Sequence, residues 1–214
     1  MARFPNNASM LELLSTIGVA AGLGAAAGLR VFVPLLVASL ACVLGVITPG
    51  HGMEWMATWW AVGLFAVLSI VEVVAYHVPW LDHALDTIAT PLAVVSGTVL
   101  AAAPILHLTG DSSHMTSGAG QLLPWAAAVV GGGLPAAGVQ VASVATRATS
   151  SATTLGVANP LVATVESVGA AIVSILSVLL PVLAALLVLC VVLIVLYWAR
   201  RRRSARARVL PAVG

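Results

Sequence analysis

The sequence predicts an all-α, polytopic integral membrane protein. Three observations carry that prediction. Hydrophobic residues make up 61% of the 214 residues and charged residues only 7%, with a mean hydropathy of +1.11. A water-soluble domain needs far more charge to cover its surface. The apolar residues come in runs long enough for helical spans, which take about 20 residues each. Between the runs stand clusters of Gly, Pro, Ser and Asn, the chemistry of loops.

Seven apolar segments follow in order, at about 11–29, 31–48, 57–76, 88–107, 122–146, 160–179 and 182–199. The breaks are clear at Thr48-Pro49-Gly50-His51-Gly52, from His77 to Thr87, from Thr109 to Gln121 and from Thr149 to Pro160. Two boundaries lack a polar turn. The run from Leu11 to Thr48 holds only Arg30 after Glu12, and the run from Leu161 to Ala199 holds only Glu166 and Pro181. Each is either a long helix kinked at Pro34 or Pro181, or a pair of short helices whose turn is buried in protein. The second solution is favoured, which leaves six or seven spans, some broken or re-entrant. An N-terminal signal peptide is the lesser alternative for the first segment, because Glu12 interrupts it and the apolar run resumes after Arg30.

Six of the nine arginines lie in Arg200 to Arg208. A basic cluster beside an apolar run marks a cytoplasmic end. Alternating spans then put Arg30, Arg147 and the Asp82/Asp86 segment on the cytoplasmic side, and the Lys- and Arg-free loops at 49–57 and 108–121 outside. Trp55, Trp59, Trp60 and Trp125 fall at outer ends and Trp80 and Trp198 at inner ends, as interfacial belts do. One transmembrane domain is expected over 1–199, with a basic tail over 200–214. Its partners are the lipid bilayer and, at the tail, anionic lipid rather than nucleic acid. A homo-oligomer is a further expectation.

An internal repeat is expected, with halves at 18–107 and 122–199. Ala26-Ala27-Gly28-Leu29-Arg30-Val31 echoes Ala136-Ala137-Gly138-Val139-Gln140-Val141, Val71-Glu72 echoes Val165-Glu166, and Pro91-Leu92-Ala93 echoes Pro181-Val182-Leu183-Ala184. An offset of three spans inverts the second copy, giving an inverted three-helix repeat of the kind transporters use.

Ionisable residues within apolar segments are costly and mark functional positions. Here Glu72 and Glu166 lie inside segments and Arg30 and Arg147 at segment boundaries, joined by Asp82, His83 and Asp86 in the stretch from Val78 to Pro91. Asp82 and Asp86 share one face of a helix begun by Pro79. Two readings stand for them: a cation or proton site with His83, or an interfacial helix whose acids face water. For the others the alternatives are a polar substrate or ion path and a set of ion pairs that fix packing, such as Arg30 with a glutamate, Glu72 being the one chosen for a charge swap. Gly28, Pro34, Pro79, Pro91, Gly138 and Pro181 are the expected positions of helix breaks or close packing. No metal-ligand spacing, cofactor motif or nucleophile arrangement is present, so neither metal nor cofactor nor catalysis is expected. The leading functional expectation is a small transporter or channel of unknown substrate; the alternative is a structural or assembly protein.

The blocks Ala27 to Leu36, Val78 to Gly97 and Gly131-Gly132-Gly133, with Arg147, Asn159-Pro160, Glu166 and Pro181, resemble the uncharacterised bacterial membrane-protein family catalogued as domain of unknown function 4126. The resemblance spans nearly the whole chain. It implies a multi-pass protein of the bacterial cell membrane and no established activity. Where the family pattern sets an acidic-basic pair before the first proline and an Arg before the next, this chain has Tyr76-His77 and Thr90.

Overall fold

A computed structural model describes residues 7–108 and 118–181, with the single positions 183, 190 and 197; side chains are described from residue 10 onward, except at 79–86 and 118–121. The described chain is helical throughout, with no strand. In order come α1 (Asn7–Ala27), α2 (Phe32–Val43), a short 3-10 turn (Glu54–Ala57), α3 (Trp59–Ala75), α4 (Pro79–Leu108), α5 (Gly118–Ala128), a π-helical turn (Val129–Gly133), α6 (Leu134–Thr154) and α7 (Asn159–Leu179).

Four stretches are long and apolar enough to cross a membrane: Met10–Ala27, Thr87–Leu108, Leu122–Thr154 and Asn159–Leu179. Phe32–Val43 and Trp59–Ala75 are shorter apolar helices. The outer surface is apolar: Ile70, Val74, Val130, Leu134, Leu161 and Val165 are all more than half exposed. In water such a surface drives aggregation; against lipid it is the expected exterior. This is a multi-pass membrane protein. Six of the seven expected segments are helices, and the seventh, 182–199, lies outside the described residues apart from single helical positions.

The long run from Leu11 to Thr48 is two helices, and the break lies at residues 28–31. Pro34 is no kink. It sits in the first turn of α2, where a missing N–H costs nothing. α2 is also shorter than the sequence suggested. Gly45, at φ +73°, closes it: the Val46 N–H reaches the Ala41 carbonyl at 2.9 Å and the Gly45 N–H the Cys42 carbonyl at 3.1 Å. That paired bonding is a Schellman cap, which needs a left-handed residue. At the other end of the chain α7 stops at Leu179, and Leu180, at φ −135° and ψ 64°, breaks the helix just before Pro181.

α6 runs on to Thr154, through residues expected to form a loop. The hydroxyls of Thr149, Thr153 and Thr154 bond carbonyls one turn back in the same helix, at Ala145, Thr149 and Ser150. Polar Ser and Thr are therefore tolerated inside a span. The helix ends at Leu155 and Gly156, both with positive φ.

Bonds at the ends fix the topology. The start of α2 meets the end of α3 through Glu72, and the loop after α2 meets the end of α4 through the Gly50 N–H and the Ala103 carbonyl at 2.9 Å. The end of α1 meets the start of α7 through Arg30. Successive helices thus alternate between two faces of the bundle. At its centre α1, α4 and the π-helical turn cross almost backbone to backbone. A Cβ on Gly24 would stand 2.5 Å from the Gly132 carbonyl oxygen, and one on Gly97 would stand 2.6 Å from it. Only glycine fits there.

Gly24 meets Gly132 and Gly28 meets Ala136, in the same order along both chains, so α1 and α6 pass in one sense. The echo of Ala26–Val31 in 136–141 therefore joins elements of like direction. Glu72 and Glu166 instead lie on α3 and α7, which run oppositely. Gly138 neither breaks nor packs: it lies within continuous α6, and nothing in the described chain stands within 4 Å of a Cβ built on it.

Candidate functional site

The break between α1 and α2 leaves backbone N–H groups with no helical partner, buried beneath one face of an apolar bundle. Glu72 supplies the partner. Its Oε1 accepts the Val31 N–H at 2.7 Å and its Oε2 accepts the Phe32 N–H at 3.0 Å. A carboxylate from α3 thus caps α2, with the favourable sign for the helix dipole. Pro34 removes one further orphan donor.

Arg30 lies in the break itself and is almost wholly buried. Its Nε donates to the Ser167 hydroxyl at 2.9 Å, its Nη1 to the Leu29 carbonyl at 3.2 Å and to Glu166 Oε2 at 3.3 Å, and its Nη2 to the Ala163 carbonyl at 2.8 Å. The break is thereby fastened to the first turns of α7. Glu166 also receives Arg147 of α6: Nε donates to Oε2 at 3.1 Å, and Nη2 makes a closer bond to the same oxygen. The Ser143 hydroxyl donates to Oε1. One carboxylate therefore holds two guanidinium groups, one from the break and one from α6. The Tyr76 ring completes the set, with the Cζ atoms of Arg30 and Arg147 each 4.1 Å from its centroid. Cations at that range are attracted by the ring face.

Arg30, Glu72, Tyr76, Arg147 and Glu166 are all buried. The network sits beneath one face of the bundle. Glu166 is seven residues into α7, about 10 Å along its axis, and Glu72 is three residues from the end of α3, about 5 Å. Toward the bundle centre, one helical turn or two further on, two buried polar groups have no hydrogen-bond partner among the described residues: the Ser69 hydroxyl on α3 and the Gln140 side-chain nitrogen on α6. Gln140 belongs to the segment that packs on Gly28.

Four of the seven ionisable residues singled out in the sequence thus meet in one network: Arg30, Glu72, Arg147 and Glu166. The pairing differs from the expected one. The glutamate bonded to Arg30 is Glu166, while Glu72 caps a helix. Asp82, His83 and Asp86 lie on the first turns of α4, and their side chains are outside the described ones. Pro79 begins α4 and Pro91 lies inside it. No group of three or more His, Cys, Asp or Glu residues suited to a metal occurs among the described residues. Sequence reasoning missed Tyr76, Ser143 and Ser167 as members. The signal for two of them was helical spacing: Tyr76 stands four residues after Glu72, and Ser143 four before Arg147. Where the family resemblance sets an acid, this chain places the Tyr76 ring against both arginines.

The family model described as Domain of unknown function (DUF4126) matches residues 17–201. No curated protein and no solved structure matches the chain. The chain belongs to the DUF4126 family.

Proposed function

We propose that this DUF4126 protein is a small ion-coupled transporter or channel, with its polar path at the α1–α2 break. The observation that carries the proposal is the convergence of Arg30, Glu72, Arg147 and Glu166 at the buried turn between α1 and α2. Helix ends buried in the bundle point backbone dipoles inward, as the broken helices of transporters do at their ion and substrate sites, and ionisable groups kept in a span mark such paths. Asp82 and Asp86 on α4 belong to the proposed path. In this proposal the arginine-rich end is cytoplasmic, the membrane is the bacterial plasma membrane, and an inverted repeat relates the helices of Glu72 and Glu166. The test is reconstitution of the full chain in liposomes and measurement of proton and ion flux. Flux above protein-free liposomes, abolished by Glu72→Gln or Asp86→Asn, is the expected result. Absence of flux under every gradient would sink the proposal.

One observation favours the second reading, a structural or assembly protein. Every described charge in the network is hydrogen-bonded, with three donor groups on Glu166 and four acceptors around Arg30. Saturated networks of this kind fix packing.

A further inference from the structure

The opposite face of the bundle carries a feature that the ion network does not explain. Between the first half of α1, the end of α4 and the loop after α2 opens a cleft of about 370 Å³. Its polar lining residues are Glu12, Ser15, Thr16, Thr48 and His107. Val19, Ile47 and Pro104 are among the apolar residues of its lining. The walls are held in place. The Gly50 N–H bonds the Ala103 carbonyl at 2.9 Å, and Gly50 lies so close to Leu106 and His107 that a Cβ there would overlap both.

Glu12 is the one Asp, Glu, Lys or Arg residue in this lining. It lies within the apolar stretch Met10–Ala27, and no described cationic side chain bonds its carboxylate. It stands near the start of that stretch and is exposed, so its carboxylate is open to a cation. Its surroundings specify the ligand's chemistry. The Ser15 hydroxyl donates to the Glu12 backbone carbonyl at 2.8 Å, so its lone pairs remain free to accept. The hydroxyls of Thr16 and Thr48 can accept as well. A ligand with several N–H donors and a positive charge suits these groups, and the apolar lining suits a short hydrocarbon part. The volume is near the lower end of small-molecule pockets, about 300 Å³.

We propose that this cleft binds a small primary ammonium compound, its nitrogen on Glu12 and its alkyl part on Val19, Ile47 and Pro104. The site stands independently of transport through the ion network. The test is equilibrium dialysis of radiolabelled propylammonium against the full chain in phosphatidylcholine nanodiscs, with empty nanodiscs as the blank. Saturable binding is expected, weakened at least about ten-fold by Glu12→Gln, the loss of roughly one charge-assisted contact. Glu54→Gln serves as the control. That carboxylate lies in the loop outside the cleft, where the N–H of its own residue, the Gly52 N–H and His51 hold it below the usual carboxylate range. Binding to that variant stays at the wild-type level. Val19→Phe, which narrows the cleft and leaves the carboxylate, also weakens binding. Propionate, of the same size and opposite charge, does not compete. Lack of saturable binding, equal competition by propionate, or unchanged binding in both Glu12→Gln and Val19→Phe would overturn the proposal.

Discussion

Replacing Glu72 with Gln tests the link between the ion network and the backbone break. In the wild type each carboxylate oxygen accepts one backbone N–H, from Val31 at 2.7 Å and from Phe32 at 3.0 Å. Glutamine keeps one acceptor and turns an NH2 group toward the other donor. One N–H is then left unpaired in an apolar interior, at a cost of about 1–3 kcal/mol. The surviving bond changes from charge-assisted to neutral, which costs roughly another 1 kcal/mol. The sum is about 2–4 kcal/mol, offset in part because a buried charge has been removed. The lower end corresponds to about a 30-fold shift in the local opening equilibrium. Amide hydrogen exchange of residues 28–36, measured on the protein in nanodiscs, reads that shift directly. Faster exchange confined to this segment is expected. If wild type and Glu72→Gln exchange at the same rate there, the carboxylate does not cap α2.

Glu166→Gln is expected to destabilise more than Glu72→Gln, by about 3–5 kcal/mol, because two buried guanidinium groups lose their shared carboxylate; thermal unfolding in matched detergent checks the order. Gly97→Ala sets a Cβ 2.6 Å from the Gly132 carbonyl oxygen and 2.7 Å from the Ala136 Cβ, so overpacking of about 1–3 kcal/mol is expected and a lower unfolding temperature reads it. Gln140→Leu replaces an amide whose nitrogen has no partner with an apolar group of similar size. It is expected to leave stability unchanged or raise it, and a loss of flux in liposomes without a loss of stability would assign Gln140 to the path.

Much of the fold was legible because span formation is a local matter. An apolar run bounded by Gly and Pro has few alternatives in lipid, and the six described segments fell where the runs did. The boundaries that shifted have local causes too. Gly45 ends α2 early, and the Thr149, Thr153 and Thr154 hydroxyls carry α6 past its expected end. The π-helical turn at Val129–Gly133 had no such signal, since its residues are shaped by the crossing with α1 and α4. For the site, chemical cost was enough to pick out Arg30, Glu72, Arg147 and Glu166 one by one. Their partners were not legible. Arg30 meets Glu166 from 136 residues away, and Glu72 reaches backbone N–H groups 40 and 41 residues away. Backbone donors leave no trace in residue type, and an aromatic ring such as that of Tyr76 reads as core until two cations are found against it.

The distinction between a path and a static lock turns on access to the network from water. Ala163, whose carbonyl accepts Arg30 and whose side chain is buried, is the position for a probe. The protein carries Ala163→Cys in a background with Cys42 and Cys190 replaced by serine, and a charged, membrane-impermeant thiol reagent is applied to each side of the liposome in turn. A transport path through the α1–α2 break opens the network to water on both sides during turnover, so slow labelling from either face is the expected result. No labelling from either face, in protein shown to be folded, would contradict transport through this network.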